Sequence, residues 1–446
     1  GMNSGRSRNV PASCPSCGEL FFLIPARPCD SRLKLFEDLT QRQSTMFQKT
    51  NIVLIMADDL GYECLGCYGS TSYQTPNLDR MADQGVMFEH CYSTPLCTPS
   101  RVQIMSGKYN YRNYHDFGYM RPEEVTFGNL LQDAGYATAI AGKWQLNGLT
   151  GHDRMHDDTR PYDAGFDTYC LWNLTHSPAE SERYYAPLYE QDGEVIDKRD
   201  EPDAYGPDIF CDFLCDFIER NRNRPFFAYY PMVLTHVPFV PTPDSSSENQ
   251  SKEENFADMV AYTDKLVGRV LAQLEDSGVL ENTVVIFTGD NGTHPSITSR
   301  TERRIVQGGK GRMPDAGTHV PLVAYWKGTT PEGYLCRDLV DFTDVLPTLI
   351  GLAGAPVPED FLTDGRSFLP RLRGERGSPR DWVGCHYEPR FQYWDRFRGR
   401  FVRNHRFKLY EDGRFYDVAA DVLEENVIPM DPAQTPRLEY KKAQKK

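Results

Sequence analysis

Two short segments of this 446-residue chain end in clustered oxygen donors. One is Asp58-Asp59-Leu60-Gly61, following the apolar run Asn51–Ala57; the other is Asp290-Asn291-Gly292, following Thr283–Thr288. Three carboxylates and an amide carbonyl form a hard oxygen set, suited to Ca2+ or Mg2+ rather than zinc. In open α/β sheets ligands collect beyond the carboxyl ends of strands, so two such ends can share one cation. The same residues also spell turns, with Asp-Asn-Gly fitting a tight bend. Spacing alone leaves both readings open.

Between these segments lies Cys97-Thr98-Pro99-Ser100-Arg101. Pro99 near the start of a helical run places a helix N-terminus here, with Arg101 in its first turn; free N–H groups and the helix dipole favour a bound anion. Three further cations or proton carriers follow candidate strands: Lys143 in Ala141-Gly142-Lys143-Trp144, His236 in Thr235-His236-Val237-Pro238, and Lys310 in Gly308-Gly309-Lys310-Gly311. Each alone reads more readily as a solvated or packed residue.

The Cys97–Arg101 pentapeptide resembles the signature of the sulfatase family. Thr75-Pro76-Asn77-Leu78-Asp79 upstream and Ser106-Gly107-Lys108 downstream fit the same pattern, and Gly365–Pro370 and Phe415–Val418 look like further family landmarks. The resemblance runs from about Asn51 to about Asn426. It implies that a maturation enzyme oxidises Cys97 to formylglycine, whose hydrate is the nucleophile. It further implies that Asp58, Asp59, Asp290 and Asn291 bind one metal beside residue 97, usually Ca2+, with Mg2+ as the alternative. Lys143 and Lys310 would contact sulfate, Arg101 would orient the hydrate, and His236 would protonate the leaving alcohol. One position departs from the pattern. Where many sulfatases have histidine two residues after the lysine, this chain has Gln145, which can hold a hydroxyl but cannot accept its proton at neutral pH. Asp315, His319 and His294 lie near these motifs and receive no role.

The expected activity is hydrolysis of a sugar or aryl sulfate to the alcohol and inorganic sulfate. Two rivals stand beside it: a phosphonate monoester or phosphodiester hydrolase of the same superfamily, and a catalytically silent homologue that binds sulfated glycans. The R group, exo or endo action and the oligomeric state carry no recognisable code.

Such a site needs a sheet whose strand ends converge. Apolar runs alternate with helical periodicity, which predicts an α/β fold with a large, mostly parallel sheet flanked by helices. The resemblance makes that fold alkaline-phosphatase-like. Expected strands are Asn51–Ala57, Tyr136–Ile140, Pro225–Tyr230, Thr283–Thr288 and Pro321–Trp326; expected helices are Asn77–Gly85, Phe127–Ala134, Phe256–Ser277 and Asp344–Leu352. Beyond Pro356 the composition becomes turn-rich, then breaks into short aromatic segments with Asp412-Gly413 as a hairpin signal. The predicted organisation is an N-terminal extension over 1–45, a catalytic domain over 46–355 and a small antiparallel C-terminal subdomain over 356–446.

With 63 acidic and 49 basic residues the net charge is −14, which argues against a general nucleic-acid surface and asks for a basic pocket in an acidic shell. No apolar run approaches the roughly 20 residues of a membrane-spanning helix. The 12 cysteines show no disulfide framework. Cys14, Cys17 and Cys29 invite a zinc-ribbon reading that lacks a fourth ligand, and Met46 is the expected natural start. Leu20–Ile24 is too short for a secretory signal, which leans the localisation towards the cytoplasm.

Overall fold

The first expected strand, NIVLIMA, is the central strand of the main sheet, and all seven of its residues are buried. The computed structural model describes residues 49–148 and 155–429. The expectations for Cys14, Cys17, Cys29 and Met46 fall outside the described residues.

The strands run in chain order as β1 (Asn51–Ala57), β2 (Val86–Tyr92), β3 (Ala137–Lys143), β4 (Thr168–Trp172), β5 (Leu188–Gln191), β6 (Glu194–Asp197), β7 (Phe226–Pro231) and β8 (Thr283–Gly289). After them come the short pair β9 (Thr298–Arg300) and β10 (Ile305–Gln307), then β11 (His319–Val320), β12 (Leu322–Trp326) and β13 (Tyr334–Asp341). The main sheet has the order β11-β2-β12-β8-β1-β7-β3-β4-β5-β6, with β13 also paired to β2. Its middle, β8-β1-β7-β3-β4, is parallel throughout, and β12 and β5 flank it antiparallel.

Strand alternation divides the core in two. Val53, Ile55 and Ala57 face the helices Pro76–Asp83, Gly206–Asn221 and Lys252–Asp276. Ile52, Leu54 and Met56 face Cys97–Ser106, Phe127–Asp133 and Val345–Ala353. Successive side chains of a strand point to opposite faces, so one apolar run serves both layers. Each large aliphatic side chain so buried contributes about 1.5–3 kcal/mol.

The parallel register sets the site. Ala57 stands opposite Gly289, and Met56 opposite Pro231. The chain leaving β1 is therefore clamped on both sides: Asp290 N–H donates to the Ala57 carbonyl (2.9 Å), and Asp58 N–H to the Leu234 carbonyl (2.7 Å). A Cβ on Gly289 would lie 2.1 Å from the Leu60 carbonyl oxygen, so only glycine lets the two strand ends approach this closely.

Two local expectations need correction. Lys143 is the last residue of β3, not a residue beyond the strand, because the pairing with β4 continues to Lys143↔Trp172. The helix over Cys97–Ser106 begins at residue 97 itself, after extended Leu96, so Arg101 falls in its second turn. Pro99 is tolerated there because the first turn has no intrahelical use for its missing N–H. All ten residues of this helix are buried, and Gly107 at φ 65 closes it.

The C-terminal segments form a four-stranded antiparallel sheet of β14 (Val383–Tyr387), β15 (Gly399–Arg403), β16 (Phe407–Tyr410) and β17 (Phe415–Asp417). Asp412-Gly413 makes the expected hairpin, with Gly413 at φ 89 donating to the Tyr410 carbonyl.

Candidate active site

Six chain segments far apart in sequence meet beyond the carboxyl ends of β1, β3, β7 and β8. Asp58 and Asp59 leave β1, Asp290 and Asn291 leave β8, and Cys97 opens its helix. Asp59 adopts left-handed backbone, φ 61, which turns its N–H onto Asp290 Oδ1 at 3.0 Å. Asn291 Nδ2 donates to Asp59 Oδ1 at 2.9 Å. Cys97 Sγ stands 3.5 Å from Asp58 Oδ1 and 3.8 Å from Asp59 Oδ1.

The cations interleave with these acids. Lys143 Nζ reaches both oxygens of Asp58, at 2.8 and 3.0 Å. Lys310 Nζ meets Asp59 Oδ2 at 2.6 Å, and Arg101 Nη2 meets Asp290 Oδ2 at 2.8 Å. His236 Nε2 is 3.8 Å from Asp59 Oδ2, while its Nδ1 lies 2.7 Å from the Val237 carbonyl. That carbonyl can only accept, so Nδ1 carries the proton and Nε2 faces the cluster. This is the basic pocket inside an acidic chain.

The electrostatics follow from burial opposed by neighbours. Burial would raise Asp58, but Lys143, His236, Arg101 and Lys310 outweigh it and hold the carboxyl well below its ordinary range. Burial likewise opposes ionisation of Asp59, and Lys310 and His236 prevail. Asp290 goes the other way: burial and the neighbouring Asp58 push it up to about 7 against the pull of Arg101 and Lys143. Burial lifts the Cys97 thiol to about 12, so at neutral pH it is not a thiolate. His236 is held well below its ordinary value, first by burial and then by Arg183 and Lys310.

These residues suit a divalent cation. Ligand atoms of Asp58, Asp59, Cys97 and His236 lie within 4.8 Å of one another. Asn291 Oδ1 is buried beside three carboxylates and accepts no hydrogen bond. A hard cation would satisfy that oxygen and relieve the repulsion that lifts Asp290. The donor set fits.

Gln145 lies two residues beyond Lys143. It sits at φ 55, its N–H donates to the Asn173 carbonyl at 3.1 Å, and its Oε1 is buried without a partner. Arg183 is a member that sequence reasoning missed; its Nη1 lies 3.5 Å from Asp58 Oδ2. It comes from an irregular loop with no periodicity or motif to announce it. The three unassigned residues do other work: Asp315 binds Arg403 at 2.7 Å, the His319 ring donates to the Glu89 carbonyl, and His294 pairs with Ser296.

Known proteins resemble this chain in sequence and in fold. A family model described as Sulfatase matches residues 50–355. Human arylsulfatase A is 33% identical over 395 residues, covering 81% of this chain and 74% of its own. Human N-acetylgalactosamine-6-sulfatase is 33% identical over 356 residues, covering 73% of this chain and 66% of its own. Among solved structures, BT4656 in complex with its substrate D-glucosamine-2-N,6-O-disulfate superimposes with a TM-score of 0.68 at 24% identity, covering 89% of this chain and 96% of its own.

Proposed function

The chain belongs to the sulfatase family, and on that premise we propose that it hydrolyses a sugar or aryl sulfate ester through a formylglycine made from Cys97. The observation that carries the reading is the placement of Cys97 Sγ within 4 Å of two carboxylates that Lys143 and Lys310 already hold.

A formylglycine at position 97 would supply the nucleophilic hydroxyl of its hydrate and a second hydroxyl through which sulfate is released. Asp58, Asp59, Asp290 and Asn291 would hold the divalent cation, Ca2+ or Mg2+, which supplies positive charge to the sulfuryl oxygens. The chain's own residues do the rest. Lys143 and Lys310 donate to sulfuryl oxygens, fixed in place before the reaction and shielded from water. Arg101 holds Asp290 and faces residue 97. Gln145 Oε1, unpartnered, accepts a hydrogen bond from a hydroxyl on residue 97. It cannot take the proton, and Asp58 Oδ1, 3.5 Å from Cys97 Sγ, is the carboxylate oxygen nearest that hydroxyl.

His236 Nε2 gives a proton to the leaving oxygen. In the free protein burial, and after it Arg183 and Lys310, hold the ring neutral. A bound sulfate ester brings negative charge beside the ring and raises its proton affinity, so the acid form accompanies the substrate.

The test is free sulfate release from a panel of sulfated sugars and aryl sulfates, using protein made with a maturation enzyme and the residue 97 peptide weighed. Aryl sulfate turnover that disappears in Cys97→Ala is the expected result. Faster turnover of an aryl phosphate diester, or tight glycan binding with no sulfate release, would overturn the reading.

A further inference from the structure

Arg183 is not accounted for by the roles above. It lies between β4 and β5, and its side chain is only 9% exposed. The guanidinium carbon sits 4.2 Å from the centroid of the Trp172 ring. Its neighbours are tied down. Trp172 Nε1 donates to the Ser181 carbonyl at 3.2 Å, and the Tyr184 hydroxyl reaches the carbonyls of His236 and, at 3.1 Å, Val233. The loop is thereby fixed on both sides of Arg183.

Its charge has no dedicated partner. Lys143, Lys310 and Arg101 each hydrogen-bond a carboxylate of the cluster. Arg183 Nη1 is buried with no hydrogen bond, and the Asp58 oxygen 3.5 Å away already accepts from Lys143. Four cations face three carboxylates, a surplus of one positive charge that a divalent cation would widen to three. A sulfate monoester brings one negative charge. A buried donor without an acceptor is costly, and so is a buried charge without its counterpart. Arg183 also stands on the side of His236, where the leaving alcohol would lie.

We propose that Arg183 is a specificity-determining residue that binds a second anionic group, a carboxylate or a further sulfate, on the organic part of the substrate. This deepens the sulfate-ester reading of the same cavity and rests on it. The planar fork of a guanidinium pairs with either anion through two parallel hydrogen bonds, and the indole beneath it fixes its plane in advance.

The test compares substrates differing by one charge: 4-nitrophenyl sulfate against its ortho- and meta-carboxylated forms, and N-acetylglucosamine 6-sulfate against glucosamine 2-N,6-O-disulfate. In the matured wild-type protein the dianionic member of at least one pair is expected to show the higher kcat/KM. Arg183→Gln is expected to lower that dianion-to-monoanion ratio at least tenfold, chiefly through KM, and Arg183→Lys to recover part of it. Carboxylated and disulfated probes separate the two anions. The same pairs are titrated by calorimetry against full-length protein carrying unmodified Cys97. A chain that binds dianions selectively but releases no sulfate would then sink the hydrolase reading while sparing Arg183. Equal losses on both members of every pair, or no loss on either, would overturn the proposal.

Discussion

The small C-terminal sheet is fastened to the rest of the molecule by Arg403, Asp315, Lys408 and Glu424, whose side chains are all under 10% exposed. Arg403 Nη1 holds both oxygens of Asp315 at 2.7 and 2.8 Å, and Lys408 Nζ holds Glu424 and the Met313 carbonyl, each at 2.7 Å. Around Cys97 the same residue types are buried just as deeply. The difference lies in what is left over. None of those four contributes a buried polar atom without a hydrogen bond among the described residues, whereas Arg101 Nε, Arg183 Nη1 and Asn291 Oδ1 are all bare. Buried charge by itself marks neither a site nor a strut. Between these two clusters the difference is unmet hydrogen-bonding capacity, because a finished ion-pair network leaves nothing for a ligand to complete.

That contrast can be broken by removing one cation from each cluster. Arg403→Met strands Asp315 and is expected to cost about 3–5 kcal/mol of stability, read by denaturant unfolding, with KM unchanged in the folded fraction. Lys143→Met is expected to cut kcat about 100- to 1000-fold while destabilising less than Arg403→Met, since Arg101 and Arg183 still flank Asp58. A reversed pattern would erase the distinction between strut and site.

Glu63 sharpens the comparison as a buried acid outside both clusters. Burial pushes it up to about 7 against the pull of its hydrogen bond with Thr293. Its folded value exceeds its unfolded one, so its contribution is complete below the ordinary 4.5 and lost as pH rises through 7. Glu63→Gln should therefore gain about 3 kcal/mol relative to wild type at pH 8 and nothing near pH 4, measured by melting across pH. Chelation should act on the other side of the contrast. Adding Ca2+ at about a hundred times its dissociation constant stabilises by about 2.7 kcal/mol. That gain should vanish in Asp290→Asn and persist in Arg403→Met. The smallest effect belongs to Gln145→His, expected to leave sulfate affinity within about threefold by calorimetry, since the lysines are untouched; abolished binding would show that the position is misread.

The parts legible in the sequence share a physical cause. β1, β7 and β8 are buried on both faces, so they appear as unbroken apolar runs, and the acids at the ends of β1 and β8 announce themselves by position. β2 was not anticipated because Glu89 and His90 interrupt its apolar pattern, and the β5–β6 hairpin is an edge with exposed Glu194 and Val195. The helix over Gly206–Asn221 did carry a signal, with Pro207 in the first turn and Phe210, Phe213, Leu214, Phe217 and Ile218 at helical spacing. Arg183 carried none. Its role arises from a tertiary contact with Trp172, and no local pattern encodes such a contact.

The lock-step pairing of β1 with β8 has a bearing on how this protein can change over generations. A single inserted residue in either strand would turn its inward faces outward and pull the two acidic ends out of step. The stretch joining β4 to β5 is free of that constraint. A change in its length would move Arg183 and its surroundings while leaving β1 and β8 in step.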